Sequence, residues 1–423
     1  MNLIERDLQN IWHPFTPQKG FPYLLPVKSA KGCCLHLEDG RKILDAISSW
    51  WVNLHGHSHP YLAEALSKQA NELEHVIFAG FTHEPAITLA ERLLKILPAN
   101  QSKIFFSDNG STAVEVALKM ALQYFWNQGL TKKTKIIAFE GAYHGDTFGA
   151  MSAGERSPFV AAFLPLLFEV EFLPLPDENN FELVKNQFYQ LLENNQVAAF
   201  IFEPIVQGAA GMRMYEAKFL DHLIKIAQDN NVLCIADEVM TGFGRTGTLF
   251  ASYQLRNQPD IFCLSKGLTG GMMAMGITSC SSKVYEAFYV DDFYKTFFHG
   301  HSFTANPLAC AVANASLDLL LKKECQEKIQ WIGEQHDSIK NEAIHWKRAL
   351  NVRSKGTIFA LELNTTQQTS YFNEARSYLY PIFIEKGVLL RPLGNTIYVL
   401  PPYCIDSEEL NFVYSAIREV MEM

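Results

Sequence analysis

Six short, nearly continuous apolar runs separated by longer amphipathic stretches constrain this chain more than any other feature of its sequence. Residues 103–107, 135–139, 198–203, 232–237, 260–264 and 276–280 read as strands buried on both faces, because a strand with one wet face would alternate instead. Between them, 111–127 and 216–230 carry helical periodicity, the first opening on Asn109-Gly110-Ser111 and the second ending on Asn230-Asn231. Strand, helix and strand repeated in this way predict an α/β domain on a mostly parallel sheet over residues 55–315. Beyond 316 the texture changes. A long polar helix is expected over 316–348, then strands at 356–363, 388–391 and 396–400 alternating with helices at 368–385 and 407–421. This predicts a smaller α+β domain over 316–423, completed by the N-terminal segment 1–54.

Of 423 residues, 48% are hydrophobic and 19% charged, so a large core is available and wholesale disorder is excluded. A net charge of -9 with no basic run argues against a nucleic-acid partner, which needs a concentrated positive face. The opening residues Met1-Asn2-Leu3-Ile4-Glu5-Arg6-Asp7 lack the basic-then-apolar pattern of a secretory signal. The most apolar stretches, 159–168 and 271–280, fall short of the roughly 20 residues that span a bilayer. Eight scattered cysteines form no Cys-x-x-Cys pair, and a cytoplasmic protein with free thiols and no membrane partner is expected.

Two residues share one predicted sheet edge. Asp237 ends the run 232–237, and Lys266 follows the run 260–264 within Ser265-Lys266-Gly267. Open α/β sheets bind ligands at the carboxyl ends of their strands. A lysine in apolar surroundings loses its proton easily and becomes a Schiff-base former, and a carboxylate beside a pyridine nitrogen keeps that ring protonated as an electron sink. Taken singly, each reads first as a surface lysine or an ordinary strand-end aspartate, and their shared edge weakens that reading. The turn Asp108-Asn109-Gly110-Ser111 opens a helix, where free amides and the helix dipole suit a phosphate or simply an N-cap.

Other motifs carry less. Gly242-Phe243-Gly244-Arg245-Thr246-Gly247 matches the dinucleotide pattern, but it lies deep in the chain with no helix following, so it is not read as one. His55, His57 and His59 alternate in a loop without the further ligands a metal shell needs, and no metal is expected. Trp50-Trp51 is core, or else a wall for an apolar substrate.

Taken together, Val232–Asp237 with Glu238-Val239, then Gly242-Phe243-Gly244-Arg245-Thr246-Gly247, Pro259-Asp260-Ile261 and Ser265-Lys266-Gly267-Leu268 resemble the class III (omega) aminotransferases of pyridoxal-phosphate fold type I. The resemblance spans essentially the whole chain. It implies a pyridoxal 5'-phosphate cofactor attached to Lys266, with Asp237 at its ring nitrogen, Gly110 and Ser111 at its phosphate and Tyr143 stacked on its ring. It also implies a homodimer in which His301 and Ser302 reach the phosphate of the other subunit.

A narrower resemblance is carried by Ser48-Ser49-Trp50-Trp51, the stretch from Tyr143 to Ser152, Glu203-Pro204-Ile205-Val206-Gln207-Gly208 and Arg391-Pro392-Leu393-Gly394. These are similar to the branch that converts 8-amino-7-oxononanoate to 7,8-diaminononanoate in biotin biosynthesis. It implies that Trp51, Tyr143, Lys266, Gly300 and Arg391 face the substrate, with Arg391 on its carboxylate, and that S-adenosylmethionine, or lysine, is the donor. Omega-aminotransferases of the 4-aminobutyrate, ornithine or beta-alanine type are the nearest alternative, and a non-catalytic cofactor-binding regulator is the other. Two positions depart from that branch. Phe15 stands where a substrate-facing tyrosine is expected, and Gly300-His301-Ser302 stands where Gly-Pro-Thr is expected, Ser302 keeping the hydroxyl.

Overall fold

The computed structural model describes residues 1–19 and 24–423. At its centre is a seven-stranded sheet in the order Gln101–Ser107, Gly276–Ser281, Ile261–Leu264, Leu233–Asp237, Val197–Phe202, Lys135–Phe139, Val170–Leu173. The five strands from Ile261–Leu264 to Val170–Leu173 run parallel, and Gly276–Ser281 is antiparallel to both of its neighbours. The apolar runs are divided between two core clusters by the two-residue period of a strand. Leu233 and Ile235 pack on the face covered by the helix Gly110–Asn127, while Cys234 and Ala236 point into the larger cluster opposite. Both faces are therefore dry, which explains why the runs do not alternate.

Three smaller sheets complete the described residues, the least of them the antiparallel pair Val206–Gln207 and Arg213–Met214. Val27–Lys31, Cys34–Leu37 and Lys42–Asp45 are antiparallel in turn, and Val388–Leu389, from near the other end of the chain, adds parallel to Lys42–Asp45. Ala349–Lys355, Ile358–Leu363 and Thr396–Val399 form an antiparallel three-stranded sheet.

The expected single helix over 316–348 is two helices, Pro307–Leu320 and Lys323–Ala343, parted at Lys322, whose backbone is extended. No proline or glycine marks that break. The first helix buries most of its length against the helices Pro60–Glu72 and Glu84–Ile96, whereas the second packs on the strand Ala349–Lys355, so two separate docking surfaces bend the chain. The expected helix over 368–385 begins only at Ala375, where the Asn373 side chain accepts the Ala375 amide. The short edge strand Val170–Leu173 is only half-buried and carries no strong pattern. No helix among the described residues is long and apolar enough to cross a membrane.

Candidate active site

Asp237 ends its strand paired with Cys263 of the neighbouring parallel strand, and Lys266 follows just past Leu264. Both open into one cavity of about 670 Å³ at the carboxyl edge of the sheet. Trp51, Gly110, Ser111, Tyr143, His144, Glu203 and the segment 271–275 line it as well. Lys266 has a left-handed backbone, φ 44°, a conformation held only where the surroundings dictate it. Its Nζ lies 4.4 Å from the centre of the Trp51 ring. Burial pushes its pKa down to about 8, against the upward pull of the Asp237 and Glu203 carboxylates.

Asp237 is almost wholly buried. One of its oxygens is 2.7 Å from His144 Nδ1, and the other accepts the Val239 amide at 3.0 Å. His144 Nε2 is buried with no partner among the described residues. Behind this pair sits Glu203, whose oxygens accept the amides of Tyr143 at 3.2 Å and Gly208 at 2.9 Å. Burial raises Glu203 to about 7, with the Asp237 charge adding to the rise and His144 opposing it. Burial and the Asp146 carboxylate hold the Tyr143 hydroxyl well above the ordinary phenol range. Glu203 and His144 are the residues that sequence reasoning passed over, although both lie inside quoted motifs. A carboxylate ending a wholly apolar strand, Val197–Phe202, is the signal that marks Glu203.

At the other end of the cavity the helix Gly110–Asn127 begins. Asn109 caps it by accepting the Thr112 amide, and the first intrahelical bond runs from Ala113 to Asn109. The amides of Gly110 and Ser111 precede that bond and face the cavity unpaired by the helix. A Cβ at Gly110 would lie 2.7 Å from Val239 Cγ1, and one at Gly145 would lie 2.3 Å from Ser111 Oγ. Only glycine permits this close approach. Ser111 Oγ accepts the Thr147 amide at 3.0 Å, and Thr147 in turn bonds Glu115.

Residues 48–51 form one left-handed helical turn, with φ of 53°, 45°, 73° and 74°. Trp51 and Val52 donate back to the carbonyls of Ile47 and Ser48, at 2.9 and 3.0 Å. Such a conformation costs about 1–2 kcal/mol per residue outside glycine. The turn sends Trp51 inward, its Nε1 donating to the Tyr398 hydroxyl at 3.1 Å, and Trp50 outward beneath Arg391, whose guanidinium lies 4.6 Å from the ring centre. Arg391 Nη2 is buried without a partner among the described residues. Phe15 contacts Trp50 edge-on at 5.5 Å. Buried Arg245 donates to the carbonyls of Trp51, Asn53 and Pro401, so the glycine-rich segment 242–247 anchors this turn.

The histidines part company. His55 bonds Ser316, His57 bonds Asp45, and His59 stacks edge-on against His55. Among the described residues no group of three or more His, Cys, Asp or Glu is placed to hold a metal ion. Gly300, His301 and Ser302 do not line the cavity of their own subunit. Gly300 and Ser302 are exposed, and His301 accepts the Phe303 amide at Nδ1 and leaves Nε2 buried without a partner.

The donor set fits pyridoxal phosphate. A buried amine of lowered basicity, a buried carboxylate opposite, an orphaned imidazole nitrogen and free amides at a helix start that no Cβ obstructs are the groups this cofactor requires. Comparison with known proteins agrees. The family model for aminotransferase class-III matches residues 15–421. The adenosylmethionine-8-amino-7-oxononanoate aminotransferase of Synechococcus elongatus is 49% identical over 98% of both chains. The crystal structure of the enzyme of that name from Methanocaldococcus jannaschii superposes with a TM-score of 0.93 at 34% identity, covering 99% of this chain and 98% of the other. A PLP-bound amine transaminase from an uncultivated Pseudomonas species superposes at 0.89 and 29% identity, covering 96% and 97%. The fold is that of the pyridoxal-phosphate transaminases, and the chain belongs to the class-III aminotransferases as a pyridoxal-phosphate-dependent enzyme.

Proposed function

We propose that this aminotransferase converts 8-amino-7-oxononanoate to 7,8-diaminononanoate in biotin biosynthesis, with S-adenosylmethionine as donor. The observation that carries this reading is the full-length identity to enzymes of that name, 49% in the Synechococcus elongatus relative. The cavity is consistent with it. A long acid with an apolar chain needs an apolar wall, which Trp51 and Tyr143 supply inside the cavity, and a cation at its far end, which Arg391 would supply from beyond the residues that line it.

In this reading Lys266 holds the cofactor covalently, Asp237 faces its ring nitrogen and Tyr143 lies against its ring. Ser111, with the amides of Gly110 and Ser111, takes its phosphate. When bound, the cofactor supplies an aldehyde carbon that accepts amino groups and a ring that withdraws electrons. The protein then has to move one proton at the substrate's reacting carbon. Lys266 Nζ, its pKa lowered by burial to about 8, would be basic enough to take that proton and acidic enough to return it. Met272, Met273 and Met275 line the cavity beside Trp51 and limit water there. Donor and acceptor use the same site in turn, so ping-pong kinetics follow.

The site is completed in this reading by a two-fold homodimer, His301 and Ser302 reaching the phosphate bound by the partner subunit. Tyr289, Phe293, Tyr294, Phe298 and Phe303 leave a run of exposed aromatic surface around that segment, as a subunit interface would. Residues 55–315 are read as the large domain, with 1–54 and 316–423 as one small domain, in line with the pairing of Val388–Leu389 with Lys42–Asp45. Eight free cysteines suit the cytoplasm.

The test mixes the yellow holoenzyme with each donor alone and then adds the keto acid. S-adenosylmethionine should bleach the band and 8-amino-7-oxononanoate should restore it. Bleaching by lysine alone overturns the donor. Bleaching by 4-aminobutyrate or ornithine, with no recovery on the keto acid, overturns the pathway. Phe15→Tyr, which restores a hydroxyl beside Trp50, should change donor KM more than acceptor KM.

A further inference from the structure

The left-handed turn Ser48–Trp51 carries Trp51, one wall of the proposed acceptor pocket, and Trp50, on which Arg391 rests, and four non-glycine residues do not hold such a backbone unaided. A buried carboxylate holds its first half. Asp45 Oδ1 accepts the amides of Ile47 at 3.2 Å and Ser49 at 3.0 Å, while Oδ2 accepts the Ser49 hydroxyl at 2.7 Å and stands 2.8 Å from His57 Nε2. Asp45 is fully buried and sits at the end of the strand Lys42–Asp45, so it cannot drift. His57 is fixed in turn by paired backbone bonds with Gly32. Ser48 Oγ adds a bond to the Leu400 carbonyl at 2.8 Å, and the turn's other end is pinned by Arg245 on the Trp51 carbonyl.

The consequence is directional. With this handedness Trp51 packs against Gly208, where a Cβ would come within 3.2 Å of the indole, and presents its face to Lys266. The adjacent Trp50 is thrown to the opposite side, under Arg391. An ordinary right-handed or extended backbone would exchange or splay these two rings. We infer that Asp45, steadied by His57, is a positioning residue for acceptor binding: it sets the left-handed turn that places Trp51 against the reacting end of the substrate and Trp50 beneath the carboxylate clamp. This inference rests on the acceptor pocket proposed above. Neither Asp45 nor His57 lines the cavity, so both act through the tryptophans.

Asp45→Asn is the informative change. It keeps one oxygen for the two backbone amides but turns the other atom into a donor facing His57 and Ser49. In the holoenzyme, KM for the acceptor should rise tenfold or more, kcat should stay within threefold, the cofactor absorption should be unchanged and the near-ultraviolet dichroism of the tryptophans should alter. A double-mutant cycle separates positioning from general destabilisation, since residues acting through one contact are not additive. In a Trp51→Phe background Asp45→Asn should add less than a further twofold to KM. Multiplicative effects, or a fall in kcat with unchanged KM, overturn the inference. Should Asp45→Asn fail to fold, His57 carries the test. His57→Gln can still donate to Asp45 and should behave as the parent, while His57→Leu cannot and should raise KM as Asp45→Asn would. Equal behaviour of those two variants overturns the inference. If the parent enzyme proves to use a different acceptor, the substrate reading fails on its own. The same cycle run with that acceptor still decides the role of Asp45.

Discussion

His144 Nδ1 and Asp237 Oδ2 lie 2.7 Å apart in the floor of the cavity, on residues 93 apart in sequence. The contact fixes which Asp237 oxygen is spoken for on one side, while the Val239 amide holds the other. A carboxylate clamped at both oxygens keeps its orientation whether or not a ring nitrogen is present. Asp237→Asn should therefore still bind cofactor but lose about 10²-fold or more in turnover, the scale of losing one preorganised charge in an active site. His144→Phe should cost less, because the carboxylate remains. Single-turnover rates on loaded protein check both, and a near-normal Asp237→Asn enzyme would make this carboxylate structural.

Attachment of the cofactor should report the acidity of Lys266. Only the neutral amine attacks an aldehyde, so the rate rises with pH and levels off above the lysine's own pKa. Burial places that near 8, so attachment to apoprotein should plateau above about pH 8. An ordinary lysine would keep accelerating to about pH 10.4. Stopped-flow absorbance at pH 6–10 reads this, and borohydride followed by peptide mapping should find the label on Lys266. A label on any other lysine refutes the attachment site.

Glu203 should make the protein less stable as pH rises. Its folded pKa, about 7, lies above the usual value of 4.5, so the folded state binds more protons between those limits. Stability attributable to this group falls as pH climbs through that window and changes no further above it. Glu203→Gln should flatten the dependence while still accepting one amide. Glu203→Ala should instead cost about 1–3 kcal/mol, by stranding the amides of Tyr143 and Gly208 in a buried site. Thermal unfolding of the apoprotein at pH 5 and pH 8 distinguishes the three proteins.

Arg391→Ala should weaken 8-amino-7-oxononanoate and leave the resting cofactor spectrum unchanged. Its guanidinium rests on Trp50 and has a buried nitrogen without a partner, a geometry ready for an incoming anion. Losing one member of a desolvated charge pair costs about 2–5 kcal/mol. The loss should be felt by the keto acid and not by donors lacking a carboxylate. An equal loss for a simple amine donor without a carboxylate would contradict the clamp.

Assembly should be inseparable from cofactor binding. If Ser302 serves the partner's phosphate, Ser302→Ala should raise the cofactor's Kd and leave the proton-transfer rate of the loaded enzyme intact. Sedimentation should find a dimer at assay concentration. An active monomer would rule out a shared site.

The central sheet was legible because burial on both faces forces an apolar run onto each strand, and that pattern is local. The shared edge of Asp237 and Lys266 was legible for the same reason, since consecutive strand ends locate it without any distant contact. Long-range packing was not. The split at Lys322 follows from two docking surfaces and leaves no turn residue in the sequence. Glu203 and His144 sit inside recognisable motifs, but only the fold shows that one backs Tyr143 and the other grips Asp237.

The sequence by itself determined the fold class and the placing of Lys266 and Asp237 on one sheet edge, because strand period and strand-end position are set within a few residues of each. Only the tertiary structure decided the hand of the turn at Ser48–Trp51, by which Trp51, the tryptophan the resemblance points to, looks inward. That hand depends on Asp45 meeting His57 and on Ser48 reaching Leu400, a partner 352 residues away. Hydrogen bonds of that span are fixed by how the sheets pack, and no periodicity in the chain encodes them.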